Sequence, residues 1–287
     1  MGDAAVPRTM WHLLEPYHAI TYFAPESIDA FKRVGLKGFW MGYFAGRAAL
    51  LGEVGPNLVT ATFHNFAPVM VNRAIPDAWT FAASIDEILK GRLLGMDHAL
   101  TRILGDQRFS SEVQEAAEIA EDAVAQTGLA GRPMFAANAD LATPDGPHLR
   151  LWQAATCLRE HRGDGHVAML VDAEFDGCQA HVSFAATGAV SRAVLQQNRG
   201  WTDEEWAAAS DRLRDRGILG PDDTLTDSGK ELRGAIEDST DRLAREPWDG
   251  IGAKRTRRLA QLMGPITSKI ASSGVIPGAN PMGLPSK

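Results

Sequence analysis

Six positions of this chain coincide when residues 39–65 are laid on residues 151–177 without a gap. Trp40 meets Trp152, Arg47 meets Arg159, Leu58 meets Leu170, Val59 meets Val171, Ala61 meets Ala173 and Phe63 meets Phe175. The shared frame reads W-x6-R-x10-L-V-x-A-x-F. Matched apolar and special positions at one fixed shift are what a duplicated unit leaves behind. The frame predicts two related helical halves, each with an arginine at the end of an apolar helix; chance coincidence is the alternative. Two half-sites facing each other would make a pocket between them, a usual place for a ligand.

Helix signals dominate the rest. Ser84-Ile85-Asp86-Glu87 reads as a capping box opening an amphipathic stretch to about Leu104, closed by Gly105. Ser111 opens another, closed by Gly128. Pro25 fits the first turn of a helix running to Val34. Residues 38–50, 57–66, 148–161, 166–176, 203–216, 228–245 and 252–263 also read as helices. Strand signals are few: a short β-piece near 219–225 and another near 180–184. The expected organisation is an N-terminal helical half over 8–107 and a connecting helix and loop over 108–147. A C-terminal half over 148–270 follows, then a flexible Gly/Pro/Ser-rich tail over 271–287.

Hydrophobic residues make up 45% and charged residues 23%, the balance of a soluble globular protein. The longest apolar run, near 39–51, is interrupted by Arg47, so no membrane span is expected. The start lacks a basic segment followed by an apolar one, so no signal peptide is expected. Cys157 and Cys178 are the only cysteines, too few for a disulfide framework, and a cytoplasmic location is the simplest expectation. The net charge of −7 is unevenly spread. Residues 201–246 hold thirteen acids and seven bases, and residues 247–287 hold one acid and six bases. Four of those bases stand in Lys254-Arg255-Thr256-Arg257-Arg258, which reads as a phosphate contact, a solvated face or a balance to an acidic neighbour.

Residues 201–243 carry a recognisable order. A helix ends in Leu213-Arg214-Asp215-Arg216-Gly217-Ile218-Leu219, a tight turn follows at Gly220–Asp223, then Leu225-Thr226-Asp227-Ser228-Gly229 and a long helix. This run resembles winged-helix regulators, in which it covers the recognition helix, the wing and the following helix. The wider chain, over about 10–265, resembles the actinobacterial SalK-like family of helix-turn-helix proteins. The words that carry this are Glu15-Pro16-Tyr17-His18, Gly38-Phe39-Trp40 with Gly42-Tyr43, Thr62-Phe63-His64-Asn65-Phe66, Leu158–His166 and Thr240-Asp241. The resemblance implies a winged-helix-like, mainly helical fold and little about function. In the regulators the helix before the wing enters the major groove. Here residues 202–216 hold five acids and three bases, with Asp203, Glu204 and Glu205 at the start, where bases are approached. DNA binding by this element is disfavoured, because phosphate neutralisation supplies most of such affinity.

Arg159-Glu160-His161-Arg162-Gly163-Asp164-Gly165-His166 is the densest polar run. Its structural reading is a helix corner: Gly163 ends one helix and Asp164 caps the next. Its functional reading is a turn presenting imidazoles and carboxylates to a cleft. His64 and Asn65 lie in an otherwise apolar helix, where a histidine is more often hydrogen-bonded core than ligand. His18, His64, His161 and His166 could together hold a metal or ligate a haem, but their spacing does not require it. There is no P-loop, dinucleotide fingerprint or nucleophile elbow, so no cofactor is assigned.

The resulting expectation is a mainly α protein of two related winged-helix-like halves with short β-wings. A small-molecule ligand is expected in a pocket lined by Tyr43, Arg47, His64, Asn65, Trp152 and Arg159, with His161, Asp164 and His166 as acid–base candidates. Arg47 and Arg159 would hold an anionic group. Ligand sensing leads. A cytoplasmic enzyme using His161, His166 or His64 with or without a metal, a DNA-binding transcriptional regulator, and an interaction protein remain as alternatives. A homodimer is compatible with all of them.

Overall fold

The computed structural model describes residues 5–82 and 84–284. Its helices fall around three apolar cores, and one long helix passes between them. The helices in chain order begin with α1 Val6–Phe23, α2 Pro25–Arg33, α3 Gly38–Ala48, α4 Pro56–Thr62, α5 Pro68–Asn72, α6 Asp77–Phe81 and α7 Ile85–Leu104. They continue with α8 Ser111–Ala125, α9 Pro133–Ala139, α10 Pro147–Asp172, α11 Gly177–Ala185 and α12 Arg192–Arg199. The last are α13 Asp203–Asp215, α14 Asp227–Leu243 and α15 Glu246–Ser272.

The first core joins α1, α7, α8, α15 and the first half of α10 around Tyr17, Ile20, Met96, Leu100 and Trp152. The second gathers α2 to α6 around Phe31, Phe44, Phe63, Phe66 and Ile75. The third packs α11, α12, α13 and α14 around Phe175, Leu195, Trp206, Leu213 and Ile236. At about 1.5 Å per residue, α10 is roughly 39 Å long. Its N-terminal half, with Leu151, Trp152 and Leu158 buried, belongs to the first core. Leu170 near its C-terminus belongs to the third. The polar run 159–166 is the stretch in between, where no core covers it fully.

The chain is not a pair of duplicated halves. Residues 39–65 form α3, a 3-10 turn at Ala49–Leu51 and α4, whereas residues 151–172 lie inside one continuous helix. The matched positions also have opposite environments. Leu58 is 50% exposed and Leu170 1%; Val59 is 0% exposed and Val171 60%. A shared frame of apolar letters cannot be a shared core when its members face opposite ways around their helices.

The β-wings are absent as well. Among the described residues no strand forms; Leu219 and Leu225 make one isolated antiparallel bridge. Gly220 N–H bonds to the Thr224 carbonyl across a turn too short to continue a ladder. The stretch 180–184 is inside α11, which an Asp176–Gln179 capping box starts.

The glycine corner is also missing, since α10 continues through Gly163 and Gly165. At Gly165 a β-carbon would come within 2.2 Å of Arg132 Nη1. That guanidinium donates to the carbonyls of His161 and Leu243, tying α10 to α14. Gly165 is there for close approach, not to end a helix.

Candidate functional site

The cleft is built on one face of α10. Arg159, Gly163 and His166, at i, i+4 and i+7, line it along its whole depth. Glu160, Asp164 and Val167 follow one position on and line its inner part. The opposite wall comes from the 62–66 turn, from α11 with His181, from α12 with Arg199 and from α14 with Arg233 and Glu237. The outer part has a volume of about 480 Å³ and the inner part about 130 Å³, within the range of small-molecule sites.

Seven of the nine residues expected at a site line the inner part: Tyr43, Arg47, His64, Asn65, Arg159, Asp164 and His166. Two do not. His161 points to the other side of α10, against the Phe135 ring at a centroid distance of 5.2 Å. Both its ring nitrogens are buried without a hydrogen bond, and burial pushes its pKa down to about 4. Two residues on from Arg159 is about 200° around a helix, which removes it from the shared face. Trp152 is fully buried and donates Nε1–H to the His18 carbonyl at 3.3 Å.

An ion-pair network holds the floor. Glu160 is 4% exposed, and its carboxylate accepts from Arg47 Nη2 at 2.9 Å and from Arg159 Nη1 at 2.7 Å. Arg159 Nε reaches Glu15 at 3.4 Å. On the outer side Arg8 and Arg162 share Asp241, and Arg233 pairs with Glu237 at 3.1 Å. Asp164 accepts the Phe135 backbone N–H at 3.0 Å, at the start of α9, and burial pushes its carboxyl up to about 6.

Arg199 is different. It ends α12 and lies 4.6 Å over the Phe66 ring, and among the described residues its side chain makes one hydrogen bond, to the Asn198 carbonyl. Among the described residues no carboxylate lies within ion-pair distance of it, and its Nε is buried without a partner. Burial, with Arg47 and Arg159 nearby, disfavours its charge. Two acceptors stand in the same cleft. Asn65 Oδ1 is buried without a donor. His166 Nδ1 lies 3.0 Å from Thr240 Oγ1, whose own proton goes to the Ile236 carbonyl. His166 therefore donates from Nδ1 and keeps Nε2 as an acceptor, and burial holds the ring neutral by lowering its pKa.

The 63–66 turn docks on the third core. His64 Nε2 donates to the Phe175 carbonyl at 3.0 Å, and the Asn65 carbonyl accepts from His181 at 3.1 Å and Trp201 at 3.0 Å. Of the four histidines weighed as metal or haem ligands, His18 lies between Thr156 and Tyr22, His64 and His166 have their own separate partners, and His161 stands apart on the other face of α10. Among the described residues no group of three or more His, Cys, Asp or Glu side chains is arranged to hold a metal. The arginines 8, 162, 199 and 233 were not singled out in sequence. Arg162 stood in the polar run, but Arg199, before Gly200-Trp201, carries no local mark of its role.

Beside the cleft, α12 and α13 are joined by Gly200-Trp201-Thr202, with Gly200 in the left-handed region at φ 80°. A three-residue turn containing glycine between two helices is a connection of the kind that helix-turn-helix motifs use. Nowhere among the described residues is a helix long and apolar enough to cross a membrane. No curated protein and no solved structure matches the chain. A family model described as a helix-turn-helix family matches residues 7–277, and the chain belongs to that family.

Proposed function

We propose that this chain binds a small organic anion in the arginine-lined cleft. The observation that carries the reading is Arg199, a guanidinium within the cleft with no counter-ion. Arg199 is half-buried, and leaving a partly desolvated charge unpaired is costly, so such a group is retained where something pairs it. Arg8, Arg162 and Arg233 are already paired, and they keep the surroundings positive without competing for the ligand. Asn65 Oδ1 and His166 Nε2 add acceptors, which suit a ligand that also carries a hydroxyl or N–H donor. Of the three imidazoles weighed for acid–base work, His161 is on the wrong face and His64 is engaged with Phe175. Binding is accordingly the better reading than turnover.

The test uses citrate, a hydroxy acid, titrated by calorimetry. Wild-type protein should bind it and Arg199→Gln should bind at least tenfold more weakly, with the melting temperature unchanged or raised. Equal binding by the two proteins would reject the site.

A second reading, a DNA-binding transcriptional regulator, is supported by family membership and by the α12–turn–α13 connection. Anion binding at Arg199, the last residue of α12, would then be how such a regulator senses its ligand.

A further inference from the structure

Another arginine without a counter-ion lies outside this cleft, and this one is buried. Arg92 on α7 is 7% exposed. Its guanidinium sits 4.8 Å over the Trp152 ring, and Nη2 donates to Asn138 Oδ1 at 3.0 Å. Asn138 is fixed in turn, donating to the Met134 carbonyl and accepting from Gln153 on its own. Arg92 Nη1 is buried with no partner, and among the described residues no carboxylate pairs with Arg92. The nearest candidate in its surroundings, Glu160, is already shared between Arg47 and Arg159.

Arg92 lines a slot between α1, α2 and α3, separate from the anion cleft except for a wall of Tyr43, Arg47, Met134 and Glu160. The remaining walls are largely apolar, with Ile28, Phe31, Phe39 and Leu50. Phe39, at 37% exposure, and half-buried Ile28 mark the outer end. The space is about 30 Å³, about two waters' worth. We infer that the slot is an anion site of its own, taking a short-chain aliphatic monocarboxylate whose carboxylate bonds Arg92 Nη1 and whose tail lies along the apolar walls. One unpaired cation fits one negative charge, which disfavours a doubly charged phosphate or sulfate, and the small volume excludes an aromatic ring.

The test is calorimetry in chloride-free buffer with acetate and propanoate, against acetamide, benzoate and sulfate. Wild-type protein should bind acetate and propanoate, with the other three at least tenfold weaker. Arg92→Gln should lose at least tenfold in acetate affinity, while Arg199→Gln should stay within twofold of wild type. Ile28→Trp, which fills the outer end without touching Arg92, should also abolish acetate binding. That variant keeps the test decisive if Arg92→Gln does not fold. Acetate bound equally by wild type and folded Ile28→Trp or Arg92→Gln would overturn the inference. So would acetamide or sulfate binding as tightly as acetate, no acetate binding at all, or loss of acetate only in Arg199→Gln. The last outcome would place the acetate in the larger cleft and leave that reading standing.

Discussion

Glu160 joins two distant parts of the sequence through one carboxylate, which pairs with Arg47 and with the neighbouring Arg159. Burial alone would raise its pKa, but Arg159 and Arg47 outweigh this and hold it at about 2. Its ordinary value is 4.5, so the folded state binds the proton less readily than the unfolded one. The pairs therefore stabilise the fold fully above about pH 4.5, and this is lost as the pH falls toward 2. Glu160→Gln leaves two guanidiniums without their charge, and breaking a buried pair costs about 3–5 kcal/mol. Urea unfolding at pH 7 should show a deficit of that order, shrinking as the pH is lowered from 5 to 3. A deficit that stays constant with pH would assign the effect to packing instead. Arg47 and Arg159 were legible in sequence as anchors for a negative charge. Pairing of Arg159 with its neighbour Glu160 was also legible, but that Arg47 shares this carboxylate from 113 residues away was not, because long-range pairing leaves no local pattern.

At the scale of elements, local signals located helices well and misjudged where they stop. Ser84, Thr202 and Thr226 cap helices as their side-chain chemistry dictates. The glycines of the polar run suggested a corner because glycine is a poor helix former. Packing overrides that where Arg132 needs the space over Gly165. Pro16 argues against a helix in the same way, yet α1 runs through it and buries Met10, Leu14, Tyr17 and Ile20. The burial of that face offsets the lost backbone bond. The 63–66 turn shows the reverse case, a motif legible as special whose work is docking. At Gly177 a β-carbon would stand 2.1 Å from the His64 carbonyl, which is backbone and cannot swing away. Gly177→Ala should cost about 1–3 kcal/mol. It should also speed amide hydrogen exchange at the start of α11 and in the 63–66 turn, while α8 and α15 keep wild-type rates. Uniformly faster exchange across the molecule would mean that the turn is not a separate latch.

Across the whole molecule, charge is arranged to be consumed internally. Among the described residues the basic cluster at 254–258 does not take its ion-pair partners from the acidic stretch 201–246. Arg255 and Arg258 instead pair with Asp122 and Glu115 on α8. The same holds around α13. Arg212 pairs with Asp176, Arg214 with Asp211 and Asp223, and Arg216 bonds the carbonyls of Ala173 and Glu174. The exposed face of α13 is left with Glu204, Ala207, Ala208, Asp211 and Asp215 beside Arg212. A helix entering the major groove needs cations free to displace counterions, and each contact adds to the salt slope. Here every basic residue of α13 would first have to leave an acid or a carbonyl. Wild-type protein should therefore bind a random 20-base-pair duplex with a dissociation constant above about 10 µM at 150 mM KCl, weaker than many non-specific binders. Fluorescence anisotropy from 50 to 200 mM salt is the measurement. Asp223→Asn with Asp211→Asn, which frees Arg214, should tighten binding and steepen its salt dependence. Tight binding by the wild type, lost in Arg212→Ala or Arg214→Ala, would show that these pairs open on DNA and that the helix-turn-helix reads it directly. Binding lost only with Lys254→Ala and Arg257→Ala would move the contact to the outer face of α15, where among the described residues those two cations make no ion pair.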